Sequence, residues 1–290
     1  MEFSYFIYQL IIGLSYSMLL FLIASGLTII FGLLNIPNFA HGALYMLGAY
    51  FTYFFLHSLP GVSFGIALVL AVVSVGLIGA FLEYVPLRKI YERSHALQLL
   101  MTFSFILILD DATKYFAGTD FLSIAIPKLM DGSITLPGDR EMPVYSIFII
   151  ACGLVVAYLL WLGLYKTRLG KLVQAGTANK EMLSALGINV PRLFTLVFIL
   201  GSVLAGLGGG LAGPLKAVSV GMGETVIITI FAIVIVGGVG SLKGAFIASI
   251  LVGELNTFGV VFFPSFAMAF TYILVIVVLL TKPEGLFRTK

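Results

Sequence analysis

Apolar blocks parted by short polar segments make up most of this chain. The blocks are residues 6–34, 43–56, 62–82, 96–116, 144–164, 193–215, 225–236, 245–263 and 267–280. A ~30 Å hydrocarbon layer takes roughly 20 helical residues, so the pattern predicts an all-α polytopic membrane protein with about 8–9 transmembrane helices, nine being the central count. Two blocks, 43–56 and 225–236, are shorter than a full span and also leave seven crossings open. From Phe3 to Leu82 there is no Asp, Glu, Lys or Arg, and 80 uncharged residues suffice for several crossings. With 60% hydrophobic and 10% charged residues among 290, a soluble-domain reading is excluded, and residues 1–290 read as a single transmembrane domain. The first block lacks a basic leader and is too long for a signal-peptide core, so it is expected to be retained. Cys152, the one cysteine, lies inside a block, which excludes an internal disulfide and a thiolate metal cluster.

Charge orients the blocks. Twelve of the 16 Lys and Arg fall at Arg88/Lys89/Arg93, within 165–192, at Lys243 and at Lys282/Arg288/Lys290, all alternating to one side. Such an excess marks the cytoplasm. The opposite side receives an outer loop at about 119–143, where Asp120, Asp131, Asp139 and Glu141 face Lys128 and Arg140. Nine crossings then put the C-terminus in the cytoplasm and the N-terminus outside. The net charge of +3 reflects this loop asymmetry rather than nucleic-acid binding.

The longest basic interruption, residues 165–192 (YKTRLGKLVQAGTANKEMLSALGINVPR), contains a short helix with readable ends. Asn179 is a cap, Lys180 to Leu186 have good propensity, Gly187 fits a left-handed stop and Pro191 forbids continuation. A helix of about two turns is marginal in water. It carries Met182, Ala185 and Leu186 on one face, with Ile188 just beyond, and that face needs a cover. Two covers are open: the protein's own cytoplasmic ends, or a soluble partner that the helix docks.

Residues 35–42 (NIPNFAHG) and 237–244 (GGVGSLKG) each break a pair of apolar blocks with Gly, Pro or Asn. Interrupted segments in corresponding halves point to broken helices in a duplicated transporter fold, with the path near the repeat interface. By residue identity the internal repeat is weak. Asn35, Asn38, His41, Gly237, Gly238 and Gly240 are therefore candidates for lining the path. The plainer alternative has Asn35, Asn38 and His41 satisfying the broken helix ends, because a membrane demands a partner for every backbone polar group. Most of the 32 glycines, those of 201–213 included, are read as helix-packing positions.

Ionisable groups inside a membrane are functional candidates by default. Asp110 and Asp111 sit in the outer half of one block with Lys114 a turn away, where an Asp110–Lys114 pair is the simpler account. Glu254, a further candidate for lining the path, lies mid-block with Asn256 nearby and no adjacent base, so it is expected to face the bundle interior or a partner subunit. Lys216 and Glu224 flank a short outer turn, where solvation suffices. Bond-making chemistry is not legible: His41, His57 and His95 lack metal-ligand spacing, and Pro214 stands where a phosphate loop needs its lysine. The chain is expected to carry no catalytic residue, metal or cofactor of its own.

Four stretches, GLTIIFGLLNIPNFAHGALYMLGAY, GTANKEMLSALGINVPR, FAIVIVGGVGSLKGAFIASILVGE and LVIVVLLTKPEGLF, occur in this order. Together they resemble the LivH-type permease subunits of bacterial branched-chain amino acid ABC importers, essentially from end to end. The resemblance implies a multi-pass inner-membrane subunit paired with a homologous LivM-type permease. It further implies two cytoplasmic ATPases, which hold the ATP and Mg, and a periplasmic binding protein that delivers the amino acid. In that family a cytoplasmic loop, here about 166–192, holds the coupling helix that enters an ATPase groove. Its Ala-x-x-Leu-Gly-Ile core implies coupling roles for Ala178, Glu181, Ala185, Leu186, Gly187 and Ile188, and Met182 shares their face. Members often carry an acid soon after the first alanine, whereas here Asn179 and Lys180 precede Glu181. Related permeases serve different amino acids, amides or urea, so the cargo stays open. Two other classes fit the composition. One is a self-contained transporter coupled to protons or sodium through Glu254 or Asp110/Asp111. The other is a channel or scaffold, which leaves the face of Met182 to Leu186 without a role.

Overall fold

A computed structural model describes residues 3–136 and 140–287; Glu2, Asp139, Arg288 and Lys290 lie outside the described residues. Every apolar block becomes a helix, because in hydrocarbon only helices and closed barrels satisfy all their own backbone groups. The first four are α1 (Phe3–Leu34), α2 (Ala40–Ser58), α3 (Phe64–Tyr84) and α4 (His95–Ala117). A hairpin follows, β1 (Ser133–Leu136) with β2 (Arg140–Pro143), so the outer loop adds two strands to an otherwise helical fold. Its register pairs exposed Ile134 with Met142, which is buried where β2 meets α1. Then come α5 (Val144–Lys166), α6 (Arg168–Ala178), α7 (Lys180–Ala185), α8 (Val190–Ala212), α9 (Met222–Gly237), α10 (Leu242–Phe262) and α11 (Ala267–Thr281). α1 is the axis: α5, α8 and α10 pack around it, and its middle, Met18 to Leu27, is buried.

Contacts fix the direction of each helix. At one end of the bundle, the Arg140 guanidinium lies 4.8 Å from the ring of Tyr5 near the start of α1. At the other, the Lys180 ammonium donates to the carbonyl of Leu34, the last residue of α1, at 2.9 Å. These are the hairpin end and the basic end. α8 runs against α1: Leu193 converges with Leu33 on Gly176, and Gly213 meets Ile124 of the outer loop. The apolar helices α1 to α5 and α8 to α11 alternate in direction, nine passes among the described residues, so the described chain starts at the hairpin end and finishes at the basic end. There Leu286 and Phe287 donate their N–H groups to the carbonyls of Val236 and Gly237.

Six of these helices are long and apolar enough to cross a membrane outright. α2 and α9 are different, because both begin inside the bundle. His41, in the first turn of α2, donates from Nε2 to the Ile23 carbonyl at 2.9 Å, and Gly26 of α1 lies against Gly201 at the middle of α8. α9 starts at the same depth: a Cβ on Gly42 would lie 2.5 Å from the Gly223 carbonyl oxygen, and both glycines are in first turns. Residues 35–39 and 213–221 carry the chain from opposite ends to this depth. From there the two half-helices run apart, α2 to the hairpin end and α9 to the basic end.

The repeat follows from this. α1, break, α2, α3, a 3₁₀ turn (Leu87–Ile90) and α4 match α8, break, α9, α10, a 3₁₀ turn (Pro264–Phe266) and α11, with the second series inverted. The break at 35–42 thus pairs with 213–221 and not, as the glycine pattern suggests, with 237–244. Residues 237–244 instead form a tight turn at the basic end, where Gly238 and Gly240 take φ of 97° and 78°. Glycine content marks both kinds of segment. Only the depth at which the next helix begins tells them apart.

Close helix approach depends on small residues. A side chain on Gly48 would strike the Gly206 backbone, and one on Gly209 the Tyr45 carbonyl, which locks α2 against α8. At the basic end, Glu83 is fully buried and accepts from the Tyr91 hydroxyl at 2.5 Å, while Arg88 donates to Thr195 Oγ1 at 2.7 Å and lies 3.5 Å from the Glu83 carboxylate. Burial, and then the Glu83 carboxylate, raise the Tyr91 pKa above the usual tyrosine range.

Gly48→Val is expected to cost about 1–3 kcal/mol by forcing α2 off α8, read as a lower Tm of the detergent-solubilised protein. An unchanged Tm rejects the tight contact. Arg88→Met leaves the Glu83 carboxylate buried without its cation and costs about 3 kcal/mol, and adding Glu83→Gln recovers part of the loss. A double variant as unstable as the sum of the singles removes the coupling.

Candidate functional site

The basic stretch folds into two helices rather than one. Thr167 starts α6 by accepting from the Gly170 N–H at 3.0 Å. Asn179 ends α6 and caps α7, its Oδ1 accepting from the Met182 N–H at 2.9 Å. α7 stops at Ala185: Gly187 takes φ 78°, its N–H donates to the Ser184 carbonyl, and the Ile188 N–H reaches back to Leu183. Pro191 does not terminate this helix. It opens α8, which Asn189 caps by accepting from the Arg192 N–H at 3.0 Å.

Two residues hold α7 to the bundle. Leu183 is 3% exposed and reaches, with Leu33 and Leu193, the space over Gly176. Lys180 supplies the bond to the Leu34 carbonyl, one of the acceptors that α1 leaves unpaired at its C-terminus, and lies 5.4 Å from the centre of the Phe194 ring. Burial holds its ammonium below the usual lysine range. The lysine that departs from the resemblance thus serves an internal bond. With these two turned inward, Ala178, Glu181, Ala185 and Gly187 are exposed, Ile188 is half-buried, and Met182 and Leu186 stand 63% and 69% exposed. Packing back onto the bundle therefore describes Leu183, which the pattern did not single out, and not the Met182 to Leu186 face.

The path candidates separate. Asn35 ends α1 with φ 58° and is exposed beside α7, on a hollow of about 550 Å³ shared with Lys180 and Glu181. Gly240 lies against Gly32, Gly237 against Gly244 and Gly238 against Phe287, so all three sit at the basic end and serve packing and turn geometry. A cavity of about 440 Å³ opens there, with Thr28, Gln174, Ala178, Gly240 and Lys243 on its wall. Asn38 and His41 are instead buried at mid-depth, 1% and 0% exposed. Among the described residues, the Asn38 side chain and His41 Nδ1 have no protein partner, so Asn38 does not cap α2.

Glu254 lies apart, half-buried on α10, its carboxylate against Gly13 of α1 and its Oε2 without a partner among the described residues. The expected Asp110–Lys114 pair is not formed. Lys114 binds Asp111 at 2.9 Å on the exposed side of α4, whereas Asp110 turns inward and its Oδ1 is unpaired. The two acids are adjacent in sequence, so they point about 100° apart on the helix and only one can follow Lys114 outward. Lys216 is not simply solvated: its ammonium lies 5.0 Å from the centre of the Tyr16 ring. Among the described residues no group of three or more His, Cys, Asp or Glu is placed to hold a metal ion.

Comparison with known proteins gives this arrangement a context. The family described as branched-chain amino acid transport system, permease component, matches residues 9–279. BraD of Pseudomonas aeruginosa, a high-affinity branched-chain amino acid transport system permease protein, is 28% identical and aligns over 98% of this chain and 96% of its own length. LivH of Escherichia coli, described in the same words, is 26% identical with the same coverage of each. A probable branched-chain amino acid transport permease protein LivH from Methanocaldococcus jannaschii is 31% identical, over 82% of this chain and 76% of its own. No solved structure matches with significance. The family match spans both half-helices, the α7 region and nearly all of the nine passes, and the chain belongs to the family of permease components of branched-chain amino acid transport systems.

Proposed function

We propose that this chain is the transmembrane permease subunit of an ATP-driven importer for branched-chain or related amino acids. One observation carries the coupling part of the reading. α7 is fastened by Leu183 and Lys180 to the bundle, yet it presents Met182, Ala185 and Leu186 away from it. An apolar face held out on a short, well-capped helix fits insertion into a groove of a soluble ATPase, where aliphatic anchors supply the contact. Basic residues at that end support its assignment to the cytoplasm, with the C-terminus on that side and the hairpin and N-terminus on the periplasmic side of the inner membrane.

In this reading two ATPases hold the ATP and Mg, a LivM-type permease completes the path, and a periplasmic binding protein delivers the amino acid. Closure of the ATPases pushes α7. The push passes through Lys180 to the end of α1 and the segment 35–39, which holds Asn38 and leads into His41 in the first turn of α2, and so reaches the junction of α2 and α9. The work stroke is a biased choice between two arrangements of the bundle. A self-contained transporter coupled to protons or sodium is not favoured, since the permeases similar to this chain are named as components of larger transport systems.

Leu186→Asp and Gly187→Pro are expected to leave the subunit inserted while cutting ATP-driven uptake in proteoliposomes by about tenfold or more, because a carboxylate or a broken turn disrupts the docking face. Normal uptake by both removes α7 from the coupling role. A tagged chain is expected to co-purify with two ATPase subunits. Lys180→Met keeps that assembly but severs the bond to α1, and uptake falls about threefold to tenfold for loss of one charge-assisted hydrogen bond. Unchanged uptake with intact assembly excludes this transmission route.

A further inference from the structure

The face shared by α4 and α9 has features that coupling at α7 does not use. Both helices flank α2 and run antiparallel to each other. Phe39, just ahead of α2, bridges them at one level, its ring centre 6.2 Å from that of Phe103 and 4.7 Å from that of Phe231. About one turn further along each helix stand Leu107 and Ile228, both exposed. A turn beyond those come Asp110 and Glu224, two acids within range to repel each other. Spacing of three and four residues keeps each row on one side of its helix. The result is a trough that is aromatic at one end, aliphatic in the middle and acidic at the other.

Among the described residues no cation is bonded to the Asp110 carboxylate. Asp110 is 4% exposed with Oδ1 unpaired, and Lys114, within electrostatic range of Asp110 and Glu224, is hydrogen-bonded to Asp111 instead. Tyr50 of α2, 6% exposed and within electrostatic range of Asp110, keeps its hydroxyl without a partner among the described residues. Unpaired polar groups at this depth are costly unless something arrives to pair them. Asp110, Glu224 and Tyr50 offer three acceptor groups, one for each N–H of a primary ammonium. The aliphatic and aromatic walls next to them suit a branched hydrocarbon tail.

We infer that the trough between α4 and α9 is a subsite for the transported amino acid, with the ammonium at Asp110, Tyr50 and Glu224 and the aliphatic side chain along Leu107 and Ile228. This rests on the permease reading and adds to it a place and an orientation for the cargo. It also gives Asp110 a role in holding substrate rather than in ion coupling.

The test uses the whole transporter in nanodiscs, with Cys152→Ala and Ile228→Cys in this subunit, and follows alkylation of the thiol at position 228. Leucine at saturation is expected to slow alkylation about tenfold, whereas 4-methylpentanoate, the same carbon skeleton without the amine, has no effect. Asp110→Asn abolishes the protection, and Tyr50→Phe weakens it. Four outcomes overturn the subsite: no protection by leucine, equal protection by both compounds, protection by sodium alone, or protection that survives Asp110→Asn. A thiol that never reacts in the complex overturns it too, by identifying the partner permease as the occupant. Co-purification of the ATPases is read on the same preparation, and ATP-dependent uptake on the transporter with Ile228 intact, reconstituted in proteoliposomes. If they fail while leucine protects, the ATP-driven reading falls and the subsite stands; if they hold while leucine does not protect, only the subsite falls.

Discussion

Backbone atoms of one helix resting directly on those of another are the contact on which this structure depends. Hydrocarbon gives apolar side chains no reason to prefer each other over lipid, so helices in a membrane hold together by close fit and by satisfying every polar group internally. The meeting of Gly42 with Gly223 is the instance that sets the two half-helices. Any side chain at either position would part the first turns of α2 and α9, and these turns are where two interrupted helices begin at the same depth. The contacts of Gly48 with Gly206 and of Gly26 with Gly201 extend the same packing along α8 and α1. Half-helices placed in this way leave non-helical backbone inside the bundle, and the protein tolerates it because the surrounding helices bury it.

From that junction the architecture divides the work. Toward the basic end, α1 ends at Leu34 with a free carbonyl, and the Lys180 bond makes α7 an extension of the bundle rather than a loose loop. A displacement of α7 therefore acts on the segment that leads into α2. On the side of α4 and α9, the same segment places Phe39 between two aromatic rings at the foot of the trough. Residues 35–39 thus lie beside both α7 and the trough. A short stretch of irregular chain is a physically reasonable place for such a link, since it has few backbone bonds of its own to break when it shifts.

The distribution of charge fits this division. Most cations gather at the end that carries α7, and Glu83 there is buried with Arg88 and Tyr91 beside it, tying α3 to the start of α8. The acids inside the bundle, Asp110 and Glu254, have no bonded cation among the described residues. A membrane subunit that kept such groups for structure alone would be expected to pair them.

The position and length of the apolar blocks, the bias of Lys and Arg, the cap at Asn179 and the stop at Gly187 were all legible in the order of residues, because each is a local or a compositional property. Helical spacing also put Met182, Ala185 and Leu186 on one face, but only the structure showed that this face points away from the bundle. The depth at which a helix begins was not legible: 237–244 is richer in glycine than 213–221, yet only the latter leads to a half-helix. Which acid Lys114 takes, the anchoring by Leu183 and the reach of Lys180 to Leu34 likewise depend on what lies across the bundle. The alignment of Asp110 with Glu224 joins residues 114 positions apart. The sequence by itself determined that the chain is a helical membrane bundle with a capped helix on its basic side. Only the tertiary structure decided which broken segments correspond and which polar groups meet, since those depend on distances between segments that local propensity and hydrophobic pattern do not encode.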